Sequence, residues 1–280
     1  MFDALPRWAS MWALAFVIYA LLKGLAWCKR RHRHSPAWIH AAYLLAWPGM
    51  NADRFLAPPS AIKPPNPPPT GEWAFAAVKL LAGAAAVALA AAWPNSFAAQ
   101  IPAQRADVLR AALGMIGLVF VLHFGLFHLL SCTWRRCGID APPLMNWPIA
   151  AASLSEFWGR RWNVAFRDLS HKFVFRPLLR RLTPHGAQLA AFAVSGLVHD
   201  LVISWPAGGG WGGPTLYFML QACGLSLEQS RPARPLGLGR GMTGRLFCAF
   251  VVLAPVGLLF HGPFRDRVIL PFLSALGSLP

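Results

Sequence analysis

The chain has 280 residues, of which 56% are hydrophobic and only 13% charged, about half the charged share of a typical soluble domain. Several windows of nearly twenty residues hold few or no charges, which is about the length that a bilayer requires. The net charge of +16 raises the possibility of nucleic-acid binding, but most Lys and Arg residues stand between apolar segments, where anionic headgroups favour them. The composition therefore predicts a polytopic α-helical membrane protein and excludes an ordinary soluble domain. It gives no support to a β-barrel or a nucleic-acid partner.

Apolar runs of different lengths predict the membrane segments in chain order. Apolar runs that we predict as spans occupy residues 8–27, 73–93, 108–130, 188–204, 215–227 and 246–260, and the last two of these are the shortest. Residues 37–49 and 268–279 form shorter segments, and residues 145–158 either cross the membrane or re-enter it. The predicted fold is all-α, a polytopic transmembrane bundle of about eight or nine membrane segments, some short or re-entrant.

Charged and proline-rich loops predict the topology of this bundle. The basic residues 29–33 place the first loop in the cytoplasm and the N-terminus outside, with residues 8–27 retained as a first helix rather than a cleaved signal. If the later loops alternate between the two sides of the membrane, residues 145–158 must cross it fully. Residues 57–71 are rich in proline and predict an extended connector. We expect one integral-membrane domain over residues 1–280, multi-pass, in a bacterial inner membrane.

Histidine and cysteine spacing gives no metal-binding pattern. The five cysteines are expected to be reduced thiols, and no histidine pair complements the CTWRRC segment. His123 and His128 are expected to form hydrogen bonds between helices. His32 and His34 are expected to lie in a solvated loop. No internal repeat supports an inverted-repeat transporter.

His199 stands late in an apolar run, with Ser195 four residues earlier on the same helical face. Asp200 is adjacent in sequence and points about a hundred degrees away, so it is a poor partner for orienting the His199 ring. A neutral imidazole in an apolar setting suits a general base that acts on an alcohol. Taken alone, His199 equally fits a packed histidine that bridges two helices.

The earlier segment, residues 153–163, adds further polar groups. Trp158, Trp162 and Asn163 have the spacing of one helical patch, and the tryptophans fit interface anchors or tunnel walls. The Asn163 amide can donate to a developing oxyanion or hold His199. Ser153 with Glu156 fits a capping box. The arginines that follow fit membrane-surface anchors or contacts to coenzyme phosphates.

Three segments together resemble the membrane-bound O-acyltransferase superfamily, and within it the wax-synthase-like branch. They are SLSEFWGRRWN (residues 153–163), VSGLVHD (194–200) and AYLLAWPGMNADRF (42–55). The resemblance implies that His199 is the catalytic base, that Asn163 lies in the same site, and that acyl-CoA donates to a lipid hydroxyl. Two features depart from the family pattern: Asp200 stands where many relatives have glutamate, and the chain is short.

The resulting hypothesis is a membrane O-acyltransferase whose catalytic core lies within residues 145–205. Acyl-CoA is the co-substrate, a long-chain alcohol or other lipid hydroxyl is the acceptor, and neither a metal nor a bound cofactor is expected. No GxSxG motif is present, so attack on the thioester is expected to be direct. Besides the catalytic pair, the expected substrate-binding residues are Trp158, Trp162, Glu156, Arg160, Arg161 and Ser195. The alternative is a non-catalytic membrane transporter or lipid-binding protein.

Overall fold

The computed structural model describes residues 5–31, 34–58, 66–93, 102–233 and 235–278, and over these ranges the chain is helical with no strand. The predicted all-α fold is therefore confirmed. The helices are α1 (Arg7–Cys28), α2 (Ala37–Ala46), α3 (Ala52–Phe55), α4 (Thr70–Ala92), α5 (Ala103–Arg136), α6 (154–161), α7 (164–178), α8 (Pro184–Ala207), α9 (Gly213–Gln229), α10 (Gly241–Leu259) and α11 (262–277).

Five of these helices are long and apolar enough to cross a membrane: α1, α4, α5, α8 and α10. Each coincides with a run that the sequence predicts as a span. The run at 215–227 is also a helix, α9, but at 17 residues it is shorter than the others. Within the described ranges, the long helices therefore account for five of the eight or nine predicted segments.

Prolines set the start of most long helices. Pro6, Pro36, Pro69 and Pro102 directly precede α1, α2, α4 and α5, and Pro184 is the first residue of α8. Proline lacks the N–H that would remain unbonded in the first helical turn, and its φ already suits a helix. These boundaries can therefore be read directly from the sequence.

Residues 145–158 do not form the helix that a full crossing requires, so of the two predicted alternatives only a re-entrant segment remains. Only the short turn Pro148–Ala150 and the first residues of α6, from Leu154, are helical in this segment. The Oγ of Ser153 accepts the Glu156 N–H at 3.0 Å and so fixes the start of α6. Without this crossing, the alternation of loops predicted from charge no longer holds beyond the first loop.

Two sequence predictions fall partly outside the described residues. The proline-rich connector includes residues 59–65, which lie outside them, while the described flanks 57–58 and 66–69 are not helical. Of the histidines expected in the first loop, His34 is described and is exposed, whereas His32 lies outside.

The chain divides into two compact units, and the first comprises residues 1–48, 52–143 and 262–280. There, α4 and α5 approach closely: a Cβ atom on Gly83 would lie 2.6 Å from the Val121 nitrogen. His128 joins the same two helices, with Nδ1 2.7 Å from Lys79 Nζ and Nε2 2.9 Å from Glu72 Oε1. The expected interhelical hydrogen bond is confirmed for His128. The prediction of one domain over the whole chain stays a prediction.

The second unit comprises residues 49–51 and 144–261 and contains the predicted catalytic core. Its centre is the hairpin of α8 and α9, joined by residues 208–212. A Cβ atom on Gly196 of α8 would lie only 2.6 Å from the Thr215 Cα of α9. Glycine at this point therefore permits the contact that holds the two helices together.

We expect Gly196→Ala to lower the melting temperature of the purified protein, because its methyl group would meet the backbone of α9. Overpacking of this kind costs about 1–3 kcal/mol, more than the roughly 1 kcal/mol that alanine gains over glycine in a helix. The matched control is Gly257→Ala in α10, where a Cβ atom would meet nothing within 4 Å. Thermal unfolding in detergent should separate the two variants, and equal melting temperatures would contradict the proposed close approach.

Candidate functional site

A cavity of about 380 Å³ lies within the second unit, with walls formed by α6, α7, α8 and α9. This volume is within the range of small-molecule binding sites. The cavity brings together five of the residues that the sequence predicts for the site. They are Trp158, Trp162, Asn163, Ser195 and His199.

The cavity is elongated along α8. Its lining on that helix extends from Gln188 to His199, about 16 Å at the rise of an α-helix. On α9 the lining extends over a similar length, from Phe218 to Gln229. The ring centroids of His199 and Phe218 lie 4.5 Å apart, so these two residues lie at the same end of the cavity. A cavity of this shape suits a chain-like ligand.

The surroundings of His199 fix which ring nitrogen can act as a base. Its Nδ1 lies 2.7 Å from the backbone carbonyl of Ser195, one turn earlier in α8. A carbonyl oxygen only accepts, so Nδ1 carries the hydrogen and Nε2 keeps its lone pair. The ring also packs against Phe218 and, edge-on, against Phe166 at 6.3 Å. The aromatic contacts and the carbonyl together hold the imidazole in one orientation.

Asn163 lines the same cavity but lies beyond the end of α6, the helix that carries Trp158. Its backbone is left-handed, with φ 40°, and it caps α7 by accepting the Phe166 N–H on Oδ1 at 3.2 Å. The prediction of one continuous helical patch is therefore wrong. Asparagine favours both the left-handed conformation and the N-cap position. Because Oδ1 is used by the cap, the amide NH₂ is the group left to donate to a ligand.

Aromatic side chains form much of the cavity wall. Trp158 packs edge-on against Phe192 at 5.7 Å and lies 5.8 Å from Phe218, while Trp162 stacks on Phe157 at 5.6 Å. These contacts favour the tunnel-wall interpretation of both tryptophans over that of interface anchors. They create an apolar channel beside His199.

Three of the predicted binding residues lie outside the cavity lining: Glu156, Arg160 and Arg161. The Glu156 carboxylate accepts the backbone N–H of Ala152 at 2.8 Å and pairs with Arg161 at 2.6 Å. The Ala152 N–H and the Arg161 guanidinium together lower the pKa of the Glu156 carboxyl. The Ser153 half of the predicted capping box is present, but the Glu156 carboxylate accepts the N–H of Ala152, one residue before the N-cap, rather than that of Ser153. Arg160 is exposed.

Asp200 is buried and holds the α8–α9 hairpin rather than His199. Its carboxylate accepts the backbone N–H groups of Gly212 at 3.0 Å and Thr215 at 3.1 Å, and the hydroxyls of Ser204 and Thr215. From Asp200 to Ser204 the helix widens into a π-helical stretch, directly after His199. As the sequence predicts, Asp200 is not bonded to the His199 ring.

Glu228 is a positioning residue that sequence reasoning missed. This buried carboxylate of α9 accepts the backbone N–H groups of Leu154 at 2.6 Å and Ser155 at 3.0 Å, at the first turn of α6. It also accepts the Ser155 hydroxyl at 2.5 Å. A carboxylate stabilises the positive end of a helix dipole. Since α6 carries Trp158 and leads directly into Trp162, Glu228 holds one wall of the cavity in place.

We expect Glu228→Gln to destabilise the fold, because an amide brings an NH₂ donor to a place where three donors already converge. Hydrogen bonds to a charged group contribute about 1.5–3 kcal/mol each, so the melting temperature should fall measurably. Asp266→Asn is the control, since this carboxylate is exposed and pairs with its neighbour Arg265. Equal melting temperatures for the two variants would show that Glu228 does not hold α6.

One group of possible metal ligands lies in the described part of the first unit. Donor atoms of Glu72, His128 and Cys132 lie within 4.8 Å of one another. Two cations already bond to these donors, Lys79 to His128 and Arg135 to Glu72. Their positive charge opposes a divalent cation at this position. The group therefore fits a polar contact between α4 and α5 better than a metal centre.

Comparison with known proteins finds sequence similarity over the part of the chain that contains most of the cavity lining. Residues 141–220 match the sequence model of the membrane bound O-acyl transferase family. A long-chain-alcohol O-fatty-acyltransferase of Simmondsia chinensis is 40% identical over 72 residues, 23% of this chain and 20% of that protein. The probable long-chain-alcohol O-fatty-acyltransferase 1 of Arabidopsis thaliana is 30% identical over 151 residues, 47% of this chain and 42% of that protein.

A third relative has a different acceptor in its name. The acyl-CoA–sterol O-acyltransferase 1 of Arabidopsis thaliana is 32% identical over 94 residues, 31% of this chain and 27% of that protein. The chain thus spans less than half the length of each of these relatives. No solved structure matches the chain.

Proposed function

We propose that the chain transfers a fatty acyl group to the hydroxyl of a long-chain alcohol or other lipid, because residues 141–220 match the sequence model of the membrane bound O-acyl transferase family. Acyl-CoA is the proposed donor. The observation that carries the proposal is the orientation of His199, with Nδ1 bonded to the Ser195 carbonyl inside an aromatic cavity that Asn163 also lines.

In the proposed reaction, His199 Nε2 removes the hydroxyl proton as the alcohol oxygen attacks the thioester carbonyl. A C–O bond forms, the carbonyl oxygen becomes an oxyanion, and the Asn163 amide donates a hydrogen bond to it. Collapse of the intermediate breaks the C–S bond. The imidazolium returns its proton to the leaving thiolate, so the products are an ester and free coenzyme A. The apolar walls limit competing hydrolysis of the thioester.

The membrane arrangement is a separate part of the proposal. If α2, α9 and α11 enter the bilayer beside the five long helices, the chain has eight membrane segments. The basic residues that follow α1, Lys29 to Arg31, favour a cytoplasmic first loop and an N-terminus outside. The relatives named above are plant proteins, so the expected bacterial inner membrane stays a prediction.

A product screen tests the function directly. Purified protein in lipid nanodiscs would be incubated with labelled acyl-CoA and, separately, with fatty alcohols, a sterol and diacylglycerol. We expect a labelled ester with at least one acceptor, identified by mass spectrometry, and none without protein. Binding or translocation of these lipids with no ester from any acceptor would instead favour the transporter or lipid-binding alternative.

A further inference from the structure

The loop of residues 146–152, here called the Trp147 loop, exposes two large apolar side chains outside the long helices. Trp147 is 57% exposed and Ile149 is 91% exposed, while Pro148 between them is buried. The Pro148–Ala150 turn makes the segment compact. The loop therefore presents an indole and a branched aliphatic chain on either side of a fixed proline.

The backbone of this loop adopts a strained conformation at Trp147. Trp147 has φ 48°, and within the described ranges only Asn163 is another non-glycine residue with positive φ. Asparagine tolerates the left-handed region, whereas a bulky aromatic residue rarely adopts it. Strain of this kind persists only where surrounding contacts enforce it, and it often accompanies function.

The enforcing contacts come from one ion pair on α6. The Arg161 guanidinium donates to the carbonyls of Asn146 at 3.2 Å and Trp147 at 3.1 Å, and its own carbonyl accepts the Asn146 N–H at 2.8 Å. Its partner Glu156 holds the Ala152 N–H at the other end of the loop. The Glu156–Arg161 pair thus clamps both ends of the Trp147 loop.

We propose that the Trp147 loop is a rigid interfacial anchor that inserts Trp147 and Ile149 into the headgroup boundary of the bilayer. Tryptophan prefers this boundary to the hydrocarbon core because its ring is apolar and its N–H is polar. Arg160 is exposed on α6, close in sequence to the clamp, and suits an anionic lipid surface. The occupant of this surface is therefore lipid.

The anchor also gives Glu156, Arg160 and Arg161 a common role outside the cavity. The clamp residues lie on α6, which carries Trp158 and ends directly before Trp162, and both tryptophans form part of the cavity wall. Fixing the loop at the headgroups would hold this wall at a constant depth in the bilayer. The inference rests on membrane insertion and not on the proposed acyl transfer, so it can fail or hold independently of that reaction.

Depth-dependent fluorescence quenching tests the anchor in the full-length protein. Ile149→Cys would be labelled with an environment-sensitive dye after the exposed cysteines Cys28, Cys137 and Cys223 are replaced by serine. In nanodiscs of phosphatidylcholine and phosphatidylglycerol, we expect a blue-shifted emission that shallow nitroxide-labelled lipids quench more strongly than deep ones. Phe250→Cys, 70% exposed within α10, is the control and should show the reverse order.

Two outcomes would overturn the anchor. Water-like emission without quenching would place the Trp147 loop in solvent, and stronger quenching by the deep lipid would place it in the hydrocarbon core. The clamp is tested by adding Arg161→Gln to the labelled protein. We expect the emission to shift toward that of water, because the loop loses its fixed geometry, and an unchanged spectrum would remove Arg161 from this role.

Discussion

Replacing His199 with alanine is expected to lower the rate of ester formation by about 10²–10⁴-fold, the usual contribution of a general base. The variant loses the Nε2 lone pair that would accept the alcohol proton. It should remain folded and in the membrane, because the only side-chain hydrogen bond that His199 makes in the described ranges is to the Ser195 carbonyl of its own helix. Initial rates at saturating acyl-CoA and alcohol provide the measurement.

His185→Ala is the matched control for this variant. His185 lies in the first turn of the same helix, α8, is exposed and does not line the cavity. Its replacement should leave both the rate and the melting temperature unchanged. Wild-type rates in His199→Ala, with equal amounts of folded protein in the two samples, would show that another group removes the proton.

Much of the fold can be predicted from the sequence because its causes are local. Apolar length gives the five long helices, and the prolines before α1, α2, α4 and α5 give their starts. The prediction fails where an apolar run does not form one continuous helix. Residues 145–158 are apolar enough to suggest a crossing, yet Pro148 and the irregular backbone around it leave no helix of sufficient length.

The site is less predictable because its geometry depends on residues far apart in sequence. The pairing of Asn163 with His199 follows from the family resemblance, but the left-handed turn at Asn163 has no periodic signal before the structure is known. Glu228 acts on residues more than seventy positions earlier, so no spacing rule could connect it with Leu154. The sequence predicts substrate contacts for Glu156 and Arg161, whereas the structure pairs them with each other outside the cavity lining, a contact that the sequence pattern does not show.

Asp200→Asn is expected to cause a large loss of stability. The carboxylate accepts four hydrogen bonds from Ser204, Gly212 and Thr215, two on each oxygen, so an asparagine NH₂ in place of either oxygen would oppose two of these donors. A hydrogen bond to a charged group contributes about 1.5–3 kcal/mol, so losing two of the four would cost several kcal/mol. Thermal unfolding should show a marked fall in melting temperature, with activity declining in proportion to the folded protein.

Thr215→Val separates the contribution of one hydrogen bond from that of the whole network. This substitution removes the Thr215 hydroxyl but keeps its backbone N–H, so the melting temperature should fall less than in Asp200→Asn. In the double variant, Thr215→Val should lower the melting temperature little further, because the carboxylate that accepts the Thr215 hydroxyl is already absent. Coupled residues in one network deviate from additivity by about 0.5–3 kcal/mol. Fully additive losses would mean that Asp200 and Thr215 stabilise the hairpin independently, and that the carboxylate does not join α8 to the start of α9.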